Sequence, residues 1–165
     1  MGIRAQAAKL ADSIGQGLVS GLVGTAAMTV SSTLEARWRE RGPSTTPADA
    51  TARALGIAGF ENDGAKSRFS NLAHWGYGTG WGVVRGLLGA TGMSPAKATA
   101  LHGAAVWSTE AVSLPALDVA PPVTTWGKEE IAIDLFHHLV YATAAGAAYQ
   151  VLSGGNRRRP VRARA

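Results

Sequence analysis

Seven ionisable side chains fall inside stretches that are otherwise apolar: His74, Arg85, His102, Glu110, Asp134, His137 and His138. Carboxylates and imidazoles suit a buried proton or cation path, because burial and neighbours bring their pKa values toward neutrality. Arginine stays charged and needs company. The plainer reading is pairing across a helical bundle: Glu110 or Asp134 with Arg85, and the histidines with tyrosine hydroxyls or backbone carbonyls. With Tyr77 and Tyr141 added, these residues make up a candidate buried polar cluster.

Metal and cofactor chemistry is poorly supplied by the spacing. Asp134-x-x-His137-His138 could place a carboxylate and an imidazole on one helix face, but di-iron bundles need two such motifs and further carboxylates. Paired histidines could ligate haem, which a Soret band would reveal. The sequence leads to an expectation of no metal and no cofactor. The chain has no cysteine, which removes disulfides, thiolate nucleophiles and zinc-thiolate sites. Its glycines have no strand before them and no lysine after them, so they do not form a phosphate-cradling loop. Ser108 and Thr109 precede Glu110, but the spacing supplies no base and orienter for a hydrolase. No catalytic residue is assigned, and the chain is not expected to be an enzyme.

The element that must position the cluster is His74 to Gly89, HWGYGTGWGVVRGLLG. As a helix it sets His74, Tyr77, Trp81 and Arg85 along one stripe, with Gly78, Gly82 and Gly86 as a smooth strip beside it. Each interior glycine costs a soluble helix about 1 kcal/mol relative to alanine. Helices in lipid use small residues for close approach. Similar strips recur at Gly17, Gly21 and Thr25, and at Ala142 and Gly146. Four spans follow, at 14–33, 72–89, 96–114 and 131–152, each near the 20 residues that cross a bilayer core. Leu34 to Arg41 continues the first span into water, and the N-terminal run reads as a retained span because it is too long for a signal sequence.

The expected fold is all-α: a four-transmembrane-helix bundle made of two helical hairpins, with a short helix in the first loop. That helix should start at Thr46-Pro47, with Thr46 as cap, and stop at Gly56, its Ala48, Ala52 and Leu55 facing the bundle or the membrane. Ser94-Pro95 opens the third span in the same way, and Pro115 ends or kinks it. His74-x-x-Tyr77-x-Thr79 is echoed by His138-x-x-Tyr141-x-Thr143, each in the second helix of a pair, which suggests two parallel copies of a hairpin. Residues 1–152 form a single membrane-embedded domain in this reading. Residues 153–165 form a basic, disordered tail behind a Ser153-Gly154-Gly155 break.

Charge and hydropathy bear on the surroundings. The formal charge is +5, and five arginines (157, 158, 159, 162 and 164) crowd the tail. Next to an apolar helix they suit a cytoplasmic flank facing anionic lipid, and no base-stacking aromatics accompany them, so nucleic acid is not expected. Expected partners are the lipid bilayer and a second copy or another membrane protein. The mean hydropathy of only +0.05 keeps a soluble helical bundle as the alternative. With both termini on one side, eight basic residues face seven, and the tail beside a span end favours termini inside.

These features in order resemble the YagU-type family of small bacterial inner-membrane proteins: a glycine-rich first span reaching Met28, a polar loop with a proline-bearing short helix, HWGYGTGWG, a span with Gly103, Trp107 and Leu114-Pro115, and His138-Leu139-Val140-Tyr141. The resemblance spans about Gly15 to Leu152. It implies a multi-pass helical protein of the bacterial cytoplasmic membrane and no established reaction, substrate or cofactor. On this basis the expected role is structural, interacting or protective of the membrane under stress, with a proton or cation transporter as the alternative.

Overall fold

A run of 22 residues without an ionisable side chain, Ser13 to Leu34, lies at the centre of the longest helix, Ile3–Trp38 (α1). The computed structural model describes residues 2–42 and 44–157, and the elements after α1 are Thr46–Ala54 (α2), Asp63–Ala90 (α3), Pro95–Ala116 (α4), a single 3-10 turn at Val123–Thr125 and Lys128–Arg157 (α5). No strand occurs among the described residues.

Small residues set how the long helices meet. Helices α1 and α3 lie antiparallel, with Ser13 against Gly86, Gly17 against Gly82, Gly21 against Gly78 and Thr29 against His74. Helices α4 and α5 are also antiparallel, with Thr99 against Gly146 and Gly103 against Ala142. The two pairs join where α1 lies along α5: the Tyr141 ring covers Gly24, Ser31 meets His137, and Arg39 pairs with Glu129 at 3.0 Å. These contacts put the start of α1, the α3–α4 turn and the end of α5 at one end of the bundle. The other end holds α2, the 3-10 turn and most of the charged side chains.

Local signals explain the helix boundaries. Asn62 caps α3 by accepting from the Ala65 N–H at 2.9 Å, so α3 begins nine residues before the expected start at Leu72. The polar first turns, DGAKSRFSN, hid this from a reading based on apolar residues. Helix α2 is capped by Thr45 rather than Thr46, with proline in its first turn. It ends before Gly56, whose φ of +69° only glycine adopts easily. Ala48 and Ala52 are buried as expected, whereas Leu55 faces out. The Asp49 carboxyl is held below the usual carboxylate range by a hydrogen bond from the Thr45 hydroxyl and by Lys66 on α3, 3.1 Å away. This small support for α2 is complete above the ordinary aspartate pKa and is lost as pH falls through the lowered one.

The expected tail boundary is corrected. The Ser153-Gly154-Gly155 break is absent, because α5 continues through it to Arg157; the expected tail beyond that, 158–165, lies outside the described residues. Of the four expected spans, only α1 and α5 are long and apolar enough to cross a membrane by length and composition. Helices α3 and α4 are long enough, at 28 and 22 residues, but fall short in composition because alanine, glycine and scattered polar groups replace bulky side chains.

The radial distribution is inverted relative to a water-soluble bundle. Among the described residues twenty large apolar side chains are exposed, including Leu72 at 72%, Val112 at 70% and Leu139 at 64%. Val106 and Leu114 are the large aliphatic side chains in the buried core, which otherwise consists of alanine, glycine, hydroxyls, two tyrosines and ionisable groups.

Candidate functional site

The sequence-predicted polar residues separate into three groups along the bundle. The tightest lies between α4 and α5. Trp107 and Glu110 project from α4 toward Asp134 and His138, which share one face of α5 because they are four residues apart. His138 Nδ1 donates to the Asp134 backbone carbonyl at 2.9 Å, and its Nε2 lies 2.6 Å from Glu110 Oε2. Asp134 Oδ1 lies 3.6 Å from Nδ1, while its Oδ2 accepts from the Trp107 indole at 2.7 Å. Because Nδ1 must donate to the carbonyl, a proton also lies between Nε2 and Glu110: the pair is imidazolium with carboxylate, or imidazole with carboxylic acid. The histidine is buried, and the two carboxylate side chains keep about a quarter of their surface, at 26% and 24%.

His137, adjacent in sequence, points elsewhere. It faces α1, its Nδ1 2.8 Å from Ser31 Oγ and its Nε2 3.8 Å from Glu35 Oε2. Ser31 donates its proton to the Met28 carbonyl, so it accepts from Nδ1. Glu35 is held at the same time by Arg41, through a bond from Nε at 3.1 Å and a second from Nη2, and by Arg39 at 3.6 Å. His74 has a matching place on α3. Thr29 gives its proton to the Thr25 carbonyl and accepts from His74 Nε2 at 2.9 Å. The echoed histidines His74 and His138 thus each contact the first helix of their own antiparallel pair. The echoed tyrosines differ: Tyr141 is buried, and Tyr77 is half exposed.

The third group lies toward the end that holds the start of α1 and the end of α5. His102 is fully buried, donates from Nε2 to the Trp81 carbonyl at 3.0 Å and leaves Nδ1 without a partner. Its ring packs against Tyr141, whose hydroxyl donates to the Gly78 carbonyl at 2.6 Å. Arg85 is 1% exposed, and among the described residues it pairs with neither Glu110 nor Asp134, which corrects the expected ion pair. Instead its guanidinium lies over the Tyr149 ring, 4.3 Å from the centroid, with Nε and Nη1 unpartnered.

The structure therefore brings Glu110, Asp134 and His138 together, sets His137 and His74 on separate seams with α1, leaves Arg85 and His102 as two buried groups toward the far end, and turns Tyr77 outward. Five contributing residues lie outside the predicted cluster: Thr29, Ser31, Glu35, Trp107 and Tyr149. Glu35 sits in a charge run and Trp107 in a span, and no local signal marks either as a partner. The chain matches no family model, no curated protein and no solved structure.

Proposed function

We propose that this chain is a multi-pass membrane protein in which α1, α3, α4 and α5 each cross the bilayer, with a structural or interacting role and no reaction of its own. The observation that carries this is a band of α1, α3 and α4 whose outward faces bear no charge. No ionisable side chain lies between Asp12 and Glu35 on α1; between Arg68 and Lys97 the only ones facing the bundle core are His74 and Arg85; and His102 is the only one between Lys97 and Glu110. At a rise of about 1.5 Å per residue the stretches of α1 and α3 are about 33 Å long, enough for a hydrocarbon core of about 30 Å, whereas that of α4 is about 18 Å, so α4 and α5 cross with Glu110, Asp134 and His138 set against one another. Fully burying one leucine or valine is worth about 1.5–3 kcal/mol in water, so turning outward the exposed large apolar side chains of α1, α3, α4 and α5 suits lipid and would penalise a soluble bundle. The family resemblance points the same way and implies the bacterial cytoplasmic membrane; the distribution of basic residues favours termini inside.

Helices α3 and α4 provide the decisive test. The chain has no cysteine, so each introduced thiol reports alone. Leu87→Cys on α3 and Leu101→Cys on α4 are expected to react with a membrane-impermeant maleimide at least about tenfold more slowly than Met93→Cys in the turn between them or Thr124→Cys at the other end. Equal reactivity at all four sites, or a monodisperse chain in detergent-free buffer, would refute the four-span arrangement.

A second reading, proton or cation transport, is favoured by the proton shared between Glu110 and His138 next to partly exposed carboxylates. Proteoliposomes holding the chain should then dissipate a pH gradient, and Glu110→Gln or Asp134→Asn should reduce the flux at least about tenfold. Flux no faster than in empty vesicles would dispose of transport and leave the structural reading in place.

A further inference from the structure

We infer that Glu110, Asp134 and His138 bind one divalent first-row transition ion of the zinc or manganese type in the seam between α4 and α5. One donor atom from each of the three residues can be chosen so that all lie within 4.8 Å of one another. The sequence motif by itself offers Asp134 with either His137 or His138. The fold selects His138, one turn from Asp134, and adds Glu110 from the facing helix.

The donor set selects the ion. One imidazole and two carboxylates suit zinc, manganese or ferrous iron; the absence of cysteine disfavours cuprous ion, and the imidazole disfavours magnesium and calcium, which prefer all-oxygen shells. Three protein donors leave at least one position open, as in sites that exchange a ligand, rather than the closed four-ligand shell of a structural zinc.

Supporting contacts are already in place. The Asp134 carbonyl fixes His138 through Nδ1, which leaves Nε2 facing Glu110 as the ligating nitrogen. Hydrogen bonds of this kind orient metal-bound histidines and carboxylates, and the Trp107 indole holds the far oxygen of Asp134 in the same way. No lysine or arginine nitrogen lies within 4 Å of either carboxylate among the described residues, so only His138 offsets their charge. The ion would replace the shared proton and open the 2.6 Å contact to about 3.3 Å, the donor spacing around a tetrahedral zinc. The partial exposure of both carboxylates gives the ion an entrance and the side chains room to move. This inference does not rest on the membrane reading or on transport, since binding is measured at equilibrium in detergent.

The test is titration of tag-free, chelator-treated protein with Zn2+ alone, followed by calorimetry and metal analysis after dialysis. One zinc per chain is expected, with a change in tryptophan emission; Trp107→Phe should remove that change and also weaken binding, because it takes away the hydrogen bond that holds Asp134. Glu110→Gln and Asp134→Asn should each weaken binding at least about tenfold, as loss of a ligand or its support does. His137→Gln, on the α1 seam, should bind like the parent. Circular dichroism of each variant verifies that it is folded. Binding no tighter in the parent than in a folded Glu110→Gln/Asp134→Asn double variant would overturn the site, and so would equal loss in His137→Gln.

Discussion

Gly82→Ala is expected to destabilise the bundle by about 1–3 kcal/mol, the usual cost of forcing a methyl group into a packed seam, and Gly82→Leu to separate α1 from α3. A Cβ at Gly82 would collide with the carbonyl of Gly17, its carbon 2.8 Å away, and a Cβ at Gly17 would lie 2.8 Å from Gly86 N and 2.9 Å from its Cα. These neighbours are backbone atoms, so no side-chain rotation can relieve the clash, and the helices themselves must move apart. That movement would loosen the neighbouring Gly21–Gly78 and Ser13–Gly86 contacts and the His74–Thr29 hydrogen bond farther along. Gly80, two residues away on the same helix, faces outward, and a Cβ added there would meet nothing within 4 Å. Gly80→Ala should therefore change stability by between zero and about 1 kcal/mol in the favourable direction, as helix propensity dictates. Reversible unfolding in mixed detergent micelles reads both. The same sign and size for the two variants would mean that glycine acts through helix propensity and not through the seam.

This contrast also explains what the sequence made legible. The four-residue spacing of Gly17 and Gly21, and of Gly78, Gly82 and Gly86, is a local signal for one smooth face, and those faces meet in the fold. The partners of the polar groups are not local. Thr29, Ser31 and Glu35 reach their histidines through the register of α1 against α3 and α5, which residues up to 106 positions apart decide together. His137 and His138 differ by about 100° around the helix, and sequence alone does not say which faces α4 and which α1. Tyr77 shows the limit of a stripe: it sits about 60° from His74, enough to put it at the edge while Trp81 packs inward against the Tyr141 cluster. A search for charge partners pairs Arg85 with a carboxylate, although an aromatic face can also receive a guanidinium.

Tyr149→Leu should therefore be among the most damaging conservative changes in the core, costing about 2 kcal/mol or more, because the cation–π contact it removes is desolvated. Tyr149 is itself buried, and its ring is the partner seen for a guanidinium that cannot deprotonate. Arg85→Met should have the opposite effect. Replacing a buried ionic group with an apolar side chain of similar volume is often neutral or stabilising by about 1–4 kcal/mol, and here two buried N–H groups without acceptors would disappear as well. In the Arg85→Met background, Tyr149→Leu should cost less than half of what it costs alone, since only packing is then lost. A double-mutant cycle on chemical unfolding in micelles measures this coupling directly. Strong destabilisation by Arg85→Met alone would show that the guanidinium has a polar partner of its own, and the aromatic account would fail. If the cycle comes out as expected, Arg85 sits in the bundle at a cost to stability, and the reason for its charge must then be sought in what the protein does and not in how it folds.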